Sequence, residues 1–445
     1  MPNLLLKMPE QVNMILEELE SAGYEAYAVG GCIRDSLMGK QPRDWDIGTA
    51  ARPDDVKRVF HRLKTSDVGI GHGTVGLTVG GKTYEVTTFR SDGKYSDSRH
   101  PDKVTFSETI EQDLARRDFT MNAMAYGKKC GLIDLFGGYK DIENGIIRVV
   151  GNPEQRFSED ALRIFRALRF AAESGFSIEN ATESSIYDLY LRTKVVAYER
   201  LNAEFAKIIL GNFGEKVIKR YKKIFEEVFD IKLPKKIEFD YLPKDKALRL
   251  ATLLTDEYGT GVAAYASGGG LTSKILAFTD LKRMRFDNKT VREVRDIHDA
   301  SSELLFYKKC SYPCRSTHKA CASPDVIIRS KKIQLKKMLA KYGESCVGKA
   351  LILNRESRCT LDEIIRDGDC YSLKQLDVTG HEIRNLVSCT LTDNGGQEKS
   401  ARSCGRLTGK LLDELLDAVI EEKIPNRSEE LLKYAQKSLQ LKCLQ

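Results

Sequence analysis

Apolar residues recur at helical spacing early in the chain. Val12, Ile15, Leu16, Leu19 and Ala22 fall on one face of a helix over 10–23. The period then shortens. AYAVGG (26–31) is a brief apolar run ending in two glycines. TVGLTV (74–79) and TYEVTTF (83–89) are β-branched runs of strand length, and GGK (80–82) between them is a hairpin turn. A polar stretch, SDGKYSDSRHPDK (91–103), has almost no core-forming residue and reads as a loop.

After about residue 150 the three-to-four-residue period dominates. EDALRIFRALRFAAE is its clearest example, followed by VREVRDIHDASSELLF, KIQLKKMLAKYG and GKLLDELLDAVIEE. Two polar stretches rich in Cys, Ser and Gly interrupt it, at 310–325 and 388–406, and both read as surface insertions. The pattern predicts an α+β protein: a mixed-sheet α/β head over 1–150, then an all-helical neck (151–212), body (213–375, insertion about 308–326) and tail (376–445, insertion about 388–406).

Composition narrows the class. The chain has 445 residues, 41% of them hydrophobic and 30% charged, enough for packed cores and against disorder or a fibre. No run reaches the ~18 apolar residues of a membrane span, and MPNLLLKMPEQ has no secretory pattern. Eleven cysteines, an odd number spread over a long chain, suit a reducing cytoplasm. A formal charge of +7 agrees with a polyanionic partner without requiring one.

The strongest chemical signal is GGCIRD (30–35) followed by RDWDI (43–47). On a strand, Asp44 and Asp46 share a face about 7 Å apart, while Trp45 and Ile47 point into a core. Paired carboxylates repel unless a cation lies between them, and Mg²⁺ suits hard oxygens and triphosphate together. Glu85 on the next strand is a candidate third carboxylate. Gly30 and Gly31 let backbone approach a phosphate, and Arg34 can add a charge-assisted contact.

With these residues the chain resembles the nucleotidyltransferase superfamily, and within it the class II CCA-adding tRNA nucleotidyltransferases and bacterial poly(A) polymerases. ARRDFTMNAMAY (115–126), DLFGG (134–138), RFSEDALRIFRALRF (156–170) and YERLNAEFAKIIL (198–210) extend the resemblance in order and spacing. The second half resembles the family only in LDVTGHEI (376–383) and LLDELLDAVIEEKIPN (411–426).

The resemblance implies that Asp44 and Asp46 hold catalytic Mg²⁺, with Glu85 assisting. It implies that Gly31 and Arg34 contact the triphosphate, and that Arg117 and Asp118 handle phosphates and ribose. Asp160, Arg163, Arg166 and Arg169, three apart on one expected helix, would line the nucleotide pocket beside a core stripe of Leu162, Phe165 and Leu168. Asp160 and Arg163 would then select the base. A carboxylate accepts from the amino group of C or A, and a guanidinium donates to a ring nitrogen; U and G present a carbonyl oxygen to the carboxylate instead.

The implied reaction is template-independent addition of CCA to a tRNA 3′ end from CTP and ATP, with release of pyrophosphate. The tRNA acceptor stem and T-arm are the expected partners, the cytoplasm the expected place, and no membrane is involved. Family members that add only the two cytidines lack the 91–103 segment, so a CC-only enzyme is disfavoured. An A-adding enzyme or poly(A) polymerase is the alternative, and a catalytically inactive RNA-binding module is the second. Oligomeric state stays open.

Weaker signals are set aside. Cys310, Cys314, His318 and Cys321 have a zinc-like spacing but read as loop thiols. His298–Asp299 is similar to the doublet of HD-type phosphohydrolases, but TLLTDEYG (252–259) offers Asp256 with no histidine beside it. His72 lies in a Gly-flanked turn and reads as structural. KRYKKIF and RSKKIQLKK present lysines that suit RNA phosphates or plain solvent.

Overall fold

Two glycines with positive φ, Gly80 (58°) and Gly81 (79°), close a tight hairpin between β4 (Thr74–Val79) and β5 (Lys82–Thr88). Val79 pairs with Lys82, so the register follows from the turn. β5 then runs parallel to β2 (Asp46–Thr49), with Asp46 opposite Glu85 and Ile47 opposite Val86. β2 pairs antiparallel with β1 (Ala26–Val29), which places Val29 beside Asp46. The two-glycine turn after Val29 is therefore set next to the Asp46–Glu85 pair.

The full sheet is mixed and seven-stranded, in the order β3-β4-β5-β2-β1-β8-β9. Its outer strands are β3 (Lys64–Ser66), β8 (Met124–Gly127) and β9 (Gly131–Asp134). A separate pair, β6 (Arg90–Ser91) and β7 (Thr105–Phe106), continues from β5. The structure is a computed structural model that describes residues 6–91, 105–253, 280–311, 323–393 and 401–443.

Helix α1 (Glu10–Ser21) buries Val12, Ile15, Leu16 and Leu19, as its spacing predicts, whereas Ala22 lies past the helix end and is exposed. Trp45 and Ile47 are buried, as the alternation around the acidic pair requires. The strand itself begins only at Asp46, so Asp44 sits just upstream of it. Short helices in the head include α2 (Gly31–Leu37), α3 (Pro53–Val59) and α4 (Ile110–Ala115). Ile110 and Leu114 of α4 pack with Val29, Phe89 and Ala125. His72 falls in a single 3₁₀ turn, Ile70–His72.

The neck follows α5 (Gly138–Glu143). Pro153 and the Asn152 side chain, which accepts from the Gln155 amide, start α6 (Pro153–Glu159). The chain then departs from the sequence expectation. Asp160 and its three arginines do not share one helix: α6 ends at Glu159, Asp160 is extended (φ −142°), and α7 (Leu162–Ser174) begins two residues later. The cause is local, because Asp160 Oδ1 accepts the Leu162 amide at 3.0 Å and competes with helical pairing.

Along α7, Leu162, Phe165 and Leu168 are buried. Phe165 stacks edge-on against Phe225 (5.8 Å) and Phe229 (5.5 Å). Phe205 meets the same two rings at 5.4 and 5.1 Å. Phe205 lies on α9 (Tyr198–Leu210) and both Phe225 and Phe229 on α11 (Lys222–Phe229), with α10 (Gly214–Arg220) packing on both helices; α8 (Asn180–Leu189) packs on α6. One compact unit accordingly spans residues 1–233 and 283–286, so residues 213–233 pack with the neck helices.

Two core clusters are formed by described residues of the second unit, residues 234–282 and 287–445. Ala300, Leu304, Met338, Leu339, Val347 and Leu361 form one, among the helices Asn288–Ser311, Pro324–Leu353 and Cys359–Arg366. Ile383, Val387, Leu411, Leu415 and Leu431 form the other, among Gly380–Asp393, Ala401–Ile420 and Ser428–Cys443. Reciprocal bonds between Thr379 and Glu382 cap the first of these helices.

The stretch 388–406 is thus not a surface insertion throughout. Its ends belong to two helices, and Cys404 packs on their core. The polar segment 92–103, Cys314, His318, Cys321 and Asp256 lie outside the described residues. Among the described residues no helix is long and apolar enough to cross a membrane.

Candidate active site

The row Val29–Asp46–Glu85 across three strands faces a cavity of about 540 Å³. Gly30, Gly31, Arg34, Asp46, Glu85, Arg117, Asp118, Asp160, Arg163, Arg166 and Arg169 all line it, so nearly every residue expected from the sequence converges there. Asp44 does not line it; it is exposed at the approach to the strand. Arg90, Arg116, Asn122 and Phe170 line the cavity as well. Among the described residues, seven arginines against four carboxylates give it the sign a triphosphate requires.

Asp46 and Glu85 stand side by side, and among the described residues neither side chain has a hydrogen bond or ion pair. The pocket walls thin the hydration of Asp46 and raise its carboxyl above the usual range. Glu85 pushes the same way, Arg117 opposes in part, and Asp44 adds a smaller push. Unpaired neighbouring carboxylates under repulsion fit the donor chemistry of a hard divalent cation. Among the described residues no three His, Cys, Asp or Glu side chains are already gathered as a ligand cluster.

Gly30 has φ +78°, and a Cβ there would lie 2.6 Å from Arg117 Nη1. The missing side chain makes room for that guanidinium at the turn. Arg117 is held from behind by Asp113, whose Oδ2 accepts from Nε (3.2 Å) and Nη2 (2.9 Å). The other oxygen, Oδ1, accepts from Arg116 Nε (3.0 Å) and Nη2 (2.6 Å) and from the Arg90 amide (3.2 Å). Burial works to raise the Asp113 carboxyl, but the two guanidiniums outweigh it and hold it below the usual range.

Asp118 is bound as firmly. Its Oδ2 accepts from Arg166 Nε (2.7 Å) and Nη2 (2.6 Å), and its Oδ1 from the Phe119 amide and Asn122 Nδ2. Burial alone would raise this carboxyl; Arg166 and the added bonds bring it down to about 2.

The remaining arginines are also anchored. Arg163 is buried and donates to Glu159 Oε2 (2.9 Å) and the Arg156 carbonyl (3.2 Å). Arg169 lies 3.9 Å from the Phe170 ring centre and donates to Glu204 Oε2 (2.5 Å) and Glu173 Oε2 (2.9 Å). Asp160 Oδ2 is 3.6 Å from Arg200 Nη2. Asp113, Asn122, Glu159, Phe170 and Glu204 escaped the sequence reading. All but Asp113 lie inside blocks already singled out by the sequence, and Asp113 lies two residues before one, so membership of those blocks was the signal available.

The comparisons with known proteins agree with this geometry. Residues 26–148 match the poly A polymerase head domain family. A CCA-adding enzyme of Leuconostoc mesenteroides is 50% identical over 198 residues, 44% of this chain and 49% of that relative. The CCA-adding enzyme of Lactiplantibacillus plantarum is 50% identical over 197 residues, 44% and 48% of the two chains. The matched stretch thus spans about half the length of these relatives.

Among solved structures, the Bacillus stearothermophilus CCA-adding enzyme in complex with CTP is similar across 98% of this chain and 99% of its own, at 27% identity and TM-score 0.65. The Thermotoga maritima CCA-adding enzyme complexed with tRNA shares the fold at 19% identity and TM-score 0.58, over 98% and 97% of the two chains.

Proposed function

We propose that this chain, a member of the tRNA nucleotidyltransferase and poly(A) polymerase family, adds C, C and A to tRNA 3′ ends from CTP and ATP. The observation that carries the reading is the Asp46–Glu85 pair beside the Gly30–Gly31 turn, in a cavity rich in arginine. The 3′-hydroxyl of the RNA attacks the α-phosphorus, the bond to the bridging oxygen breaks, and pyrophosphate leaves. A divalent cation, Mg²⁺ by its preference for hard oxygen, would be held by Asp46 and Glu85 with Asp44 at the cavity's approach, and would supply charge neutralisation and a lowered pKa for the hydroxyl.

The chain's own residues do the rest by positioning and charge. Arg34 and Arg117 bind the phosphates at the glycine turn. Asp118 is kept ionised by Arg166 and accepts from ribose hydroxyls. Asp160 and Arg163 face the base. Asp160 is fixed by the Leu162 amide and Arg163 by Glu159, so each presents a preset edge. A carboxylate held this way accepts from the amino group of C or A and meets an unpaired carbonyl oxygen in U or G, a loss of several kcal/mol (about 2–4). The helical second unit is the natural place for the tRNA body, and a cytoplasmic setting accords with that partner.

The test is incubation with tRNA trimmed of its 3′ end, Mg²⁺ and each triphosphate in turn. Addition of C, C and A followed by a stop is expected. Long A tails identify a poly(A) polymerase, A alone on a CC end an A-adding enzyme, and no addition an RNA-binding module.

A further inference from the structure

Asn122 sits where the two ends of the cavity meet. It is 7% exposed and ends the 3₁₀ turn Thr120–Asn122. Its Oδ1 accepts from Arg34 Nη1 at 2.7 Å, and its Nδ2 donates to Asp118 Oδ1 at 3.1 Å. Its backbone carbonyl accepts from Arg117 Nη1 at 3.4 Å. Arg34 completes its fixation through Asp35, and Asp118 passes the link on to Arg166. Both guanidiniums lie over the Phe170 ring, at 5.1 and 5.6 Å.

The mount is stiff. Thr120 Oγ1 donates to the buried Asp141 at 2.7 Å. Gly138 packs so closely beneath that a Cβ would lie 2.2 Å from the Thr120 carbonyl oxygen. A turn held on both sides cannot easily re-aim its amide.

We propose that Asn122 is a positioning residue that ties the phosphate-binding end of the cavity, through Arg34, to its ribose- and base-binding end, through Asp118 at the ribose and through Arg166, which shares helix α7 with the base-facing Arg163. The chemistry explains the residue type. One side must accept from a cation and the other must donate to a carboxylate, about one side-chain length apart. Among side chains of this size only the amide does both; a carboxylate only accepts, and leucine does neither. The inference rests on the nucleotide-binding reading of the cavity and adds that its two ends are mechanically joined.

Calorimetric titration of the full chain with CTP, UTP and inorganic tripolyphosphate tests this in wild type, Asn122→Asp and Asn122→Leu. Asn122→Asp keeps the acceptor for Arg34, so tripolyphosphate affinity stays within about threefold. It faces Asp118 with a second carboxylate, so the preference for CTP over UTP falls about tenfold or more. Asn122→Leu loses both arms, and tripolyphosphate affinity falls about tenfold as well.

The proposal is overturned if Asn122→Asp matches wild type in all three titrations, or if it loses tripolyphosphate as fully as Asn122→Leu. It is equally overturned if Asn122→Leu binds tripolyphosphate normally. A simple packing role would weaken the two variants alike and leave the CTP to UTP ratio unmoved. If wild type shows no preference for CTP, the base-selecting role of Asp160 and Arg163 fails on its own. The tripolyphosphate contrast between the variants still decides the role of Asn122.

Discussion

The buried carboxylate of Asp113 grips Arg117 at 2.9 Å while its second oxygen grips Arg116 at 2.6 Å, so one side chain aims two neighbouring guanidiniums. Replacing Asp113 by alanine leaves both cations without their counter-charge. A loss of about 3 kcal/mol in folding free energy is expected, read from urea unfolding. Nucleotide affinity should fall with it, because Arg117 no longer reaches the glycine turn in a fixed orientation. Wild-type stability or wild-type CTP binding in this variant would show that Asp113 aims neither arginine.

Asp118 gives stability a defined acid limb. Its carboxyl is near 2 when folded, below the usual 3.8, so it contributes above the unfolded value and loses that contribution as pH falls toward 2. The stabilisation at neutral pH is about 2 kcal/mol. The difference in stability between wild type and Asp118→Asn should be constant from pH 7 to about 5 and shrink between about pH 4 and 2. Circular dichroism during urea unfolding at stepped pH reads this, and a difference that did not narrow in acid would refute the assignment.

Gly30 and Gly39 separate strain from displacement. Both have positive φ, +78° and +70°, but only at Gly30 would a Cβ meet a neighbour, Arg117 Nη1 at 2.6 Å; nothing lies within 4 Å at Gly39. Each Gly→Ala change should cost about 1–2 kcal/mol from the left-handed backbone. Only Gly30→Ala should also raise the KM for CTP. Equal effects on KM would remove the link between the bare glycine and the arginine.

Asp46 and Glu85 trade stability for chemistry. Asp46→Asn relieves the repulsion from Glu85, so the melting temperature should hold or rise, by the equivalent of up to about 1 kcal/mol. Nucleotide addition should fall about a thousandfold or more in the same variant. Thermal melting and single-turnover addition on trimmed tRNA measure the two together. Addition at the wild-type rate would defeat the proposed function.

Much of the head was legible because its signals are local. The Gly80–Gly81 turn, the buried Trp45 and Ile47 beside Asp46, and the Leu162–Phe165–Leu168 stripe each follow from spacing alone. Asp160 was misread because helical periodicity continues through it. A side chain bonding to the Leu162 amide ends one helix and starts another without disturbing the apolar pattern. The 388–406 stretch was misread for the opposite reason: polar composition hid two helix ends whose core face is carried by a few residues such as Cys404.

By itself, the order of residues determined the acidic pair, the glycine turn, the arginine-bearing blocks and the succession of a sheet and many helices, since each depends on neighbours a few positions apart. Folding alone decided which carboxylate each arginine faces. Asp113 with Arg117, Asp118 with Arg166 and Glu204 with Arg169 are choices among many possible ion pairs. Their selection depends on strand register and helix packing, because a charge is stabilised by whatever lies within a few ångströms in space, however distant it is along the chain.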